Sequence, residues 1–247
     1  MIKILLCGAL GQMGRQVTAL SRENGFEIAA GIDAAASGDS LSFPLYPAFS
    51  DAVREQADVI IDFSRPGALK GLLDYAVSRK LPCVLCSTGY GEKENAMIRE
   101  ASAQIPLFVS ANMSEGVYVL KKLAALAHAL LPEADIELIE KHHRRKVDAP
   151  SGTAVALLKV LKNEDTVLRC GREGNDSKRQ PGEIGVHSVR GGTVCGDHEI
   201  SFFLYDEEIT LSHHAQSRAI FANGALRAAR FLLNCAPGLY GMDDLMK

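Results

Sequence analysis

The stretch Ile2-Lys3-Ile4-Leu5-Leu6-Cys7-Gly8-Ala9-Leu10-Gly11-Gln12-Met13-Gly14, continued by Arg15–Glu23, Phe26–Ile32 and Asp33, decides the fold. Ile2–Cys7 is a near-continuous apolar run, as in a strand buried on both faces. Arg15–Glu23 has helical composition, and Phe26–Ile32 is a second strand. The glycines between strand and helix form G-x-x-G-x-x-G, a variant of the dinucleotide fingerprint that is weak alone and strong in this setting. In that reading Gly8, Ala9, Gly11, Gln12, Met13 and Gly14 admit a pyrophosphate against the helix N-terminus, where unpaired N–H groups and the dipole favour negative charge. Asp33 closes the second strand at about the ~20-residue distance expected of a ribose-binding carboxylate.

The rhythm continues outward. Strand Val59–Phe63, helix Gly67–Arg79, strand Pro82–Cys86, helix Glu92–Gln104, strand Leu107–Val109 and helix Gly116–Leu131 alternate as parallel βαβ units do. After residue 131 the pattern changes. Ala134–Glu140, Gly185–Arg190, Thr193–Gly196, His198–Leu204 and Glu207–His214 read as strands, with Gly191-Gly192 as a hairpin turn. Asn163–Pro181 is polar and glycine-bearing and reads as a flexible loop, and Ala222–Asn234 is helical again. The expected fold is α/β: a Rossmann-like parallel-sheet domain plus a second α+β domain with an open, mostly antiparallel sheet.

Composition excludes several classes. The chain has 247 residues, 47% of them apolar, enough for a substantial core in one large domain or two smaller ones. No apolar run is long enough for a bilayer, and Met1–Leu6 leads into a glycine turn instead of a cleavage site, so a soluble, unprocessed, cytoplasmic protein is expected, with no membrane partner. A net charge of −3 and a basic cluster without interleaved aromatics argue against nucleic acid. The six cysteines are scattered, as in a reducing compartment. Cys83 and Cys86 fit C-x-x-C but lie in an apolar run and read as buried strand residues.

The chemistry concentrates in Glu140-Lys141-His142-His143-Arg144-Arg145-Lys146-Val147-Asp148-Ala149-Pro150-Ser151-Gly152-Thr153-Ala154. A strand ends there, Pro150 stops the extended run, and Ser151 or Thr153 caps the helix Ala154–Leu161. Gly152 permits close approach to a ligand, and helix-end N–H groups with nearby Lys and Arg suit a small carboxylate. The other histidines support no metal: adjacent His213 and His214 point to opposite faces of a strand, His128 lies on an apolar helix, and His187 and His198 lack ligand-spaced partners.

His142-His143-Arg144-Arg145-Lys146-Val147-Asp148-Ala149-Pro150-Ser151-Gly152-Thr153 resembles the substrate motif H-H-x-x-K-x-D-A-P-S-G-T of the dihydrodipicolinate (4-hydroxy-tetrahydrodipicolinate) reductase family. The resemblance covers essentially the whole chain. It implies a discontinuous dinucleotide-binding domain, residues 1–112 and 222–247, and a substrate-binding and oligomerisation domain, residues 113–221, in a homotetramer. It makes His142 the proton donor and Lys146 a second acid, and it puts His143, Ser151, Gly152 and Thr153 at a dicarboxylate substrate. Arg144 and Arg145 are read as steering or structural charges. Cys86-Ser87-Thr88 and Ser110-Ala111-Asn112-Met113 resemble the segments that hold nicotinamide and ribose, with Cys86 standing where the family has glycine and Gln12 where it often has arginine. Asp33 repels a 2′-phosphate and is followed by Ala34-Ala35-Ala36 without an arginine, so NADH is expected to be preferred, with NADPH also admitted. Rival readings are a dehydrogenase of another dicarboxylic imine or keto acid, and a dinucleotide-binding sensor without catalysis.

Overall fold

The computed structural model describes residues 1–36, 41–52 and 54–247. The chain forms two compact units, Met1–Glu115 with Arg218–Lys247, and Gly116–Ser217.

In the first unit the order is β1 (Ile2–Cys7), α1 (Gln12–Ser21), β2 (Phe26–Ile32), β3 (Leu45–Tyr46), β4 (Val59–Asp62), a 3-10 turn at Pro66–Ala68 running into α2 (Leu69–Arg79), β5 (Cys83–Leu85), α3 (Glu92–Ser102) and β6 (Pro106–Val109). Helix α4 (Glu115–Leu130) leads into the second unit, which holds β7 (Asp135–His142), α5 (Gly152–Leu161), β8 (Val167–Cys170), β9 (Glu183–Arg190), β10 (Asp197–Phe203) and β11 (Glu208–His214). The chain then returns through α6 (Ala219–Leu232), β12 (Gly238–Tyr240) and α7 (Met242–Leu245).

The first sheet has seven strands in the order β12-β6-β5-β4-β1-β2-β3, every pairing parallel. β1 and β4 are neighbours from which the chain winds outward in opposite directions, and ligands of open α/β sheets bind outside the carboxyl ends of strands at such a switch point. The apolar runs are explained by burial on both faces: Ile4, Leu5, Leu6, Ile60 and Ile61 are fully enclosed. Helix α6 comes close to the segment after β6, since a Cβ on Gly224 would lie 1.9 Å from the Met113 carbonyl oxygen.

The second sheet runs β11-β10-β7-β9-β8. It is mixed, and the expected predominance of antiparallel pairing holds only for β7, β10 and β11; β7–β9 and β8–β9 are parallel. Because β9 and β10 flank β7, they do not pair with each other. Gly191-Gly192 is therefore not a hairpin turn and Thr193–Gly196 is not a strand. The segment between β9 and β10 instead crosses the end of β7, where Gly191 N–H donates to His142 O at 2.9 Å and Arg144 N–H to Gly192 O at 3.3 Å. The stretch read as a flexible loop contains β8, whose residues are all exposed and so carry no apolar periodicity. Arg172 and Arg179 in that stretch both pair with Glu137, and Arg172 also with Glu183.

β7 alternates with period two, and Ile136 and Leu138 enter a core built with Ile184 and Val186 of β9, Ile200 and Phe202 of β10, and Ala154, Leu157, Leu158 and Leu161 of α5. The next two inward positions on β7 are Glu140 and His142, so the core face becomes polar at the strand's carboxyl end.

Two glycines give opposite expectations. A Cβ on Gly14 would stand 2.2 Å from the Gly8 carbonyl oxygen, whereas one on Gly67 meets nothing within 4 Å. Gly14→Ala is expected to destabilise by roughly 1–3 kcal/mol through overpacking. Gly67→Ala is expected to stabilise by about 0.4–1 kcal/mol by restricting the unfolded chain. Denaturant titration of both variants checks the two signs.

Candidate active site

At the carboxyl ends of the first sheet, Gly8 adopts φ +75° and packs its backbone on Phe63, with a Cβ position only 2.7 Å from that carbonyl oxygen. Gly11 begins α1 with no side-chain cap and no acidic residue in the first turn, which leaves that end of the helix electropositive. The Asp33 carboxylate reaches back to the turn, accepting from Leu10 N–H at 3.0 Å and from Ala35 N–H at 3.0 Å. The cradle is closed to side chains, because Gly14 touches Gly8 and Ala9 backbone directly.

Cys86, Ser87 and Thr88 follow β5, and Ser110, Ala111, Asn112 and Met113 follow β6. The side chains of Cys86 and Met113 are buried. Ser87 is tied down: its hydroxyl donates to buried Asp62 at 2.8 Å, and Asp62 also accepts from Ser64 N–H at 2.9 Å and Tyr90 OH at 3.3 Å. Ser110 Oγ donates to Asn112 O at 2.7 Å, and Asn112 Oδ1 accepts from Ser114 N–H at 2.9 Å, which fixes the loop. Gly8, Ala9, Gly11, Gln12, Met13, Gly14, Asp33 and these two loops thus share one edge of the sheet.

In the second unit, His142 and Ser151 are held by a single side chain. Glu140 is fully buried; its Oε2 lies 2.5 Å from His142 Nδ1 and its Oε1 accepts from Ser151 N–H at 3.2 Å. Arg190 of β9 binds the same carboxylate through two nitrogens, at 2.7 and 2.8 Å, and the Asp148 carbonyl at 2.6 Å. Burial works to raise the Glu140 pKa, but bonds from Arg190, the Ser188 hydroxyl and His142 prevail and hold it down at about 2. The His142 pKa is lowered, first by burial and also by the charges of Lys146 and Arg190, against the opposing pull of Glu140.

Ser151 caps α5 by accepting from Ala154 N–H at 3.1 Å, and its Oγ is 3.0 Å from His198 Nε2. It is buried. Gly152 begins that helix on the exposed side with open space around its Cα, Thr153 next to it is half-buried, and so is His143. Lys146 pairs with Asp148 at 2.9 Å. Arg144 and Arg145 are exposed. A cis peptide bond joins Ala149 to Pro150. The His198 ring stands edge-on to His142 at 5.2 Å, and burial together with the His142 charge takes its pKa down to about 4.

Glu140, Arg190 and His198 had no role in the sequence reading. Glu140 and His142 stand two apart on one strand and so share a face, a signal present in the sequence. Nothing local points to Arg190 or His198, which arrive from neighbouring strands. Among the described residues no group of three or more His, Cys, Asp or Glu side chains is placed to hold a metal, and no helix is long and apolar enough to cross a membrane.

A glycine cradle at the switch point of a parallel sheet, joined to a unit with a buried histidine and carboxylate at a helix start, defines a nicotinamide-dependent reductase of Rossmann type. The family model for the dihydrodipicolinate reductase N-terminus matches residues 2–113, and that for the C-terminus matches residues 116–246. The chain belongs to the dihydrodipicolinate reductase family. It is 45% identical to the 4-hydroxy-tetrahydrodipicolinate reductase of Caldanaerobacter subterraneus subsp. tengcongensis, covering 100% of this chain and 99% of that one. It is 46% identical to that of Staphylococcus aureus, covering 99% and 100%. The solved dipicolinate-bound dihydrodipicolinate reductase of Paenisporosarcina sp. TG-14 shares the fold, with a TM-score of 0.80 over 99% of each chain at 22% identity.

The histidine shifts set an acid limit to stability. His198 and His142 are held below the ordinary 6.5, so between that value and the folded values the unfolded chain binds more protons. Their contribution is complete above 6.5 and is lost as the pH falls toward about 4 for His198. Glu140 acts in the same direction lower down, losing its contribution between 4.5 and about 2. The urea midpoint is expected to fall steadily on acidification from pH 6.5, and His198→Asn to flatten the upper part of that slope.

Proposed function

We propose that the chain reduces 4-hydroxy-tetrahydrodipicolinate to tetrahydrodipicolinate in the diaminopimelate route to lysine, with His142 as proton donor and Lys146 as a second acid. The supporting observation is that one buried carboxylate, Glu140, binds both His142 and the start of α5, gathering the motif at one point. Residues 1–112 and 222–247 are taken to hold the dinucleotide and residues 113–221 the substrate.

When bound, reduced nicotinamide supplies the hydride that adds to C4 of the cyclic unsaturated imine formed as the 4-hydroxy compound loses water. The first unit fits that group, since its glycine turn excludes side chains where a pyrophosphate must approach and the following helix end is electropositive. A carboxylate at Asp33 suits ribose hydroxyls and repels a 2′-phosphate, which supports NADH as the preferred cofactor with NADPH accepted more weakly.

Electron density gained at C4 is passed to the ring nitrogen and its neighbours, and cations or acids at that place lower the barrier. His142 delivers its proton to C3, which completes the two-electron reduction. Lys146 exchanges Asp148 for a substrate carboxylate, while His143, Gly152 and Thr153 hold the other charge; Ser151 fixes the helix. The working form is taken to be a cytoplasmic homotetramer meeting through the second unit's sheet, a place supported by half-exposed Phe203 and Ile209.

Purified protein supplied with substrate made in place from pyruvate and aspartate semialdehyde is expected to oxidise NADH faster than NADPH. His142→Gln is expected to lower kcat by at least ~10²-fold, as loss of a general acid does, with a modest change in KM. Undiminished oxidation by a His142/Lys146 double variant would remove both from the reaction. Binding of dinucleotide without any turnover would favour the sensor.

A further inference from the structure

Glu140 is a fully buried carboxylate four residues from exposed chain, and an ion pair with Arg190 alone does not account for its geometry. Its two oxygens have about four acceptor directions. All are taken: Oε1 by Arg190 Nη2 and Ser151 N–H, Oε2 by Arg190 Nη1 and His142 Nδ1, with the Ser188 hydroxyl a further donor to the same carboxylate. An ionised carboxylate only accepts, so a nitrogen 2.5 Å from it must carry hydrogen. His142 therefore bears its hydrogen on Nδ1, and in the neutral ring the free lone pair lies on Nε2.

We propose that Glu140, clamped by Arg190, is the positioning residue of the reaction: it fixes the His142 tautomer and presents Nε2 as the nitrogen that takes up and delivers the proton. This rests on the assignment of His142 as proton donor. Two further observations agree. First, Glu140 and His142 occupy successive inward positions of a central strand, which removes freedom from both side chains. Second, the segment crossing the end of β7 puts Gly196 against the imidazole, where a Cβ would lie 3.0 Å from Nε2. A side chain at that position would press on the nitrogen that must reach substrate.

The groups that face His142 are Glu140 from its own strand, Lys146 from the following loop, Arg190 from β9 and His198 from β10. Of these only Glu140 is negative. It is thus the group that makes an imidazolium at position 142 tolerable, while His198, kept neutral, adds no opposing charge.

The test has two arms. In the wild-type protein labelled with 15N-histidine, neutral His142 is expected to show a protonated Nδ1 and a bare Nε2; the reverse pattern overturns the proposal whatever any variant does. In Glu140→Gln the side-chain carbonyl stays with Arg190 and Ser151, and the amide turns its N–H toward His142. That inverts the tautomer, as an amide behind a catalytic histidine does. The variant is expected to show hydrogen on Nε2, a kcat reduced on the order of 10²-fold with substrate KM changed little, and an acid limb displaced to lower pH. Wild-type kcat, pH profile and nitrogen pattern in this variant overturn the proposal. If the variant does not fold, the wild-type nitrogen pattern alone decides. Failure of the proton-donor assignment is read separately, as full turnover by His142→Gln.

Discussion

The second unit depends on the pair formed by Glu140 and Arg190. A carboxylate without exposed surface is costly unless it is paired and its remaining lone pairs are used. Arg190 satisfies half of them from the end of β9, and this is possible because β9 lies parallel to β7 with Arg190 beside His142 in register. The same guanidinium holds the Asp148 carbonyl, and the carboxylate holds Ser151 N–H. The loop between His142 and Ser151 is therefore anchored at both ends to one charge pair. Removing either partner leaves an uncompensated buried charge, so the motif and the start of α5 lose a shared anchor.

Strand order also sets what covers the site. With β9 and β10 on opposite sides of β7, their connection has to pass over the end of β7, and it brings Gly191 and Gly196 to the histidine. The first unit solves a different problem by a different route. The carboxyl edge of its sheet, proposed above for the dinucleotide, is made of backbone at the ends of parallel strands, and side chains such as Ser87, Asp62 and Ser110 lock loops in place. Preorganised backbone suits a large polyanionic cofactor, whereas a buried acid–base group suits a small reacting ring.

Much of the first unit was legible because strands buried on both faces read as unbroken apolar runs and helices of ten or more residues separate them. β1 and β2 have the limits that the sequence suggests. Strands such as β3 and β12 were not legible: they are two and three residues long and lack fully buried positions. The glycine pair at 191–192 misled because a turn signal is local, while the partner of a strand is decided by a sheet order that no local pattern states. In the site, the motif pointed to His142, Lys146 and the helix start. Arg190 stands 50 residues from Glu140, and His198 is 47 from Ser151, so their roles appear only once the sheet is assembled. Glu140 itself was in plain view, and only the period-two geometry of its strand gives it a partner.

The charge pattern of the second unit has a consequence for turnover. Arg190 offsets Glu140 and Asp148 offsets Lys146, so the surroundings of His142 are nearly neutral overall, and burial keeps the ring uncharged. A dianionic substrate that draws Lys146 away from Asp148 leaves this balance negative. On the proposed reading, proton uptake by His142 then offsets one of the two added charges, with Glu140 already aligned to stabilise the imidazolium. With His142 as the proposed proton donor, the acid would be formed when substrate is bound, and transfer of the proton to the ring would return the histidine to the state that the empty site favours. A permanently cationic residue at position 142 would bind the dianion well but would have to release a proton against its own high affinity. A histidine depressed by burial and supported by one carboxylate meets both demands.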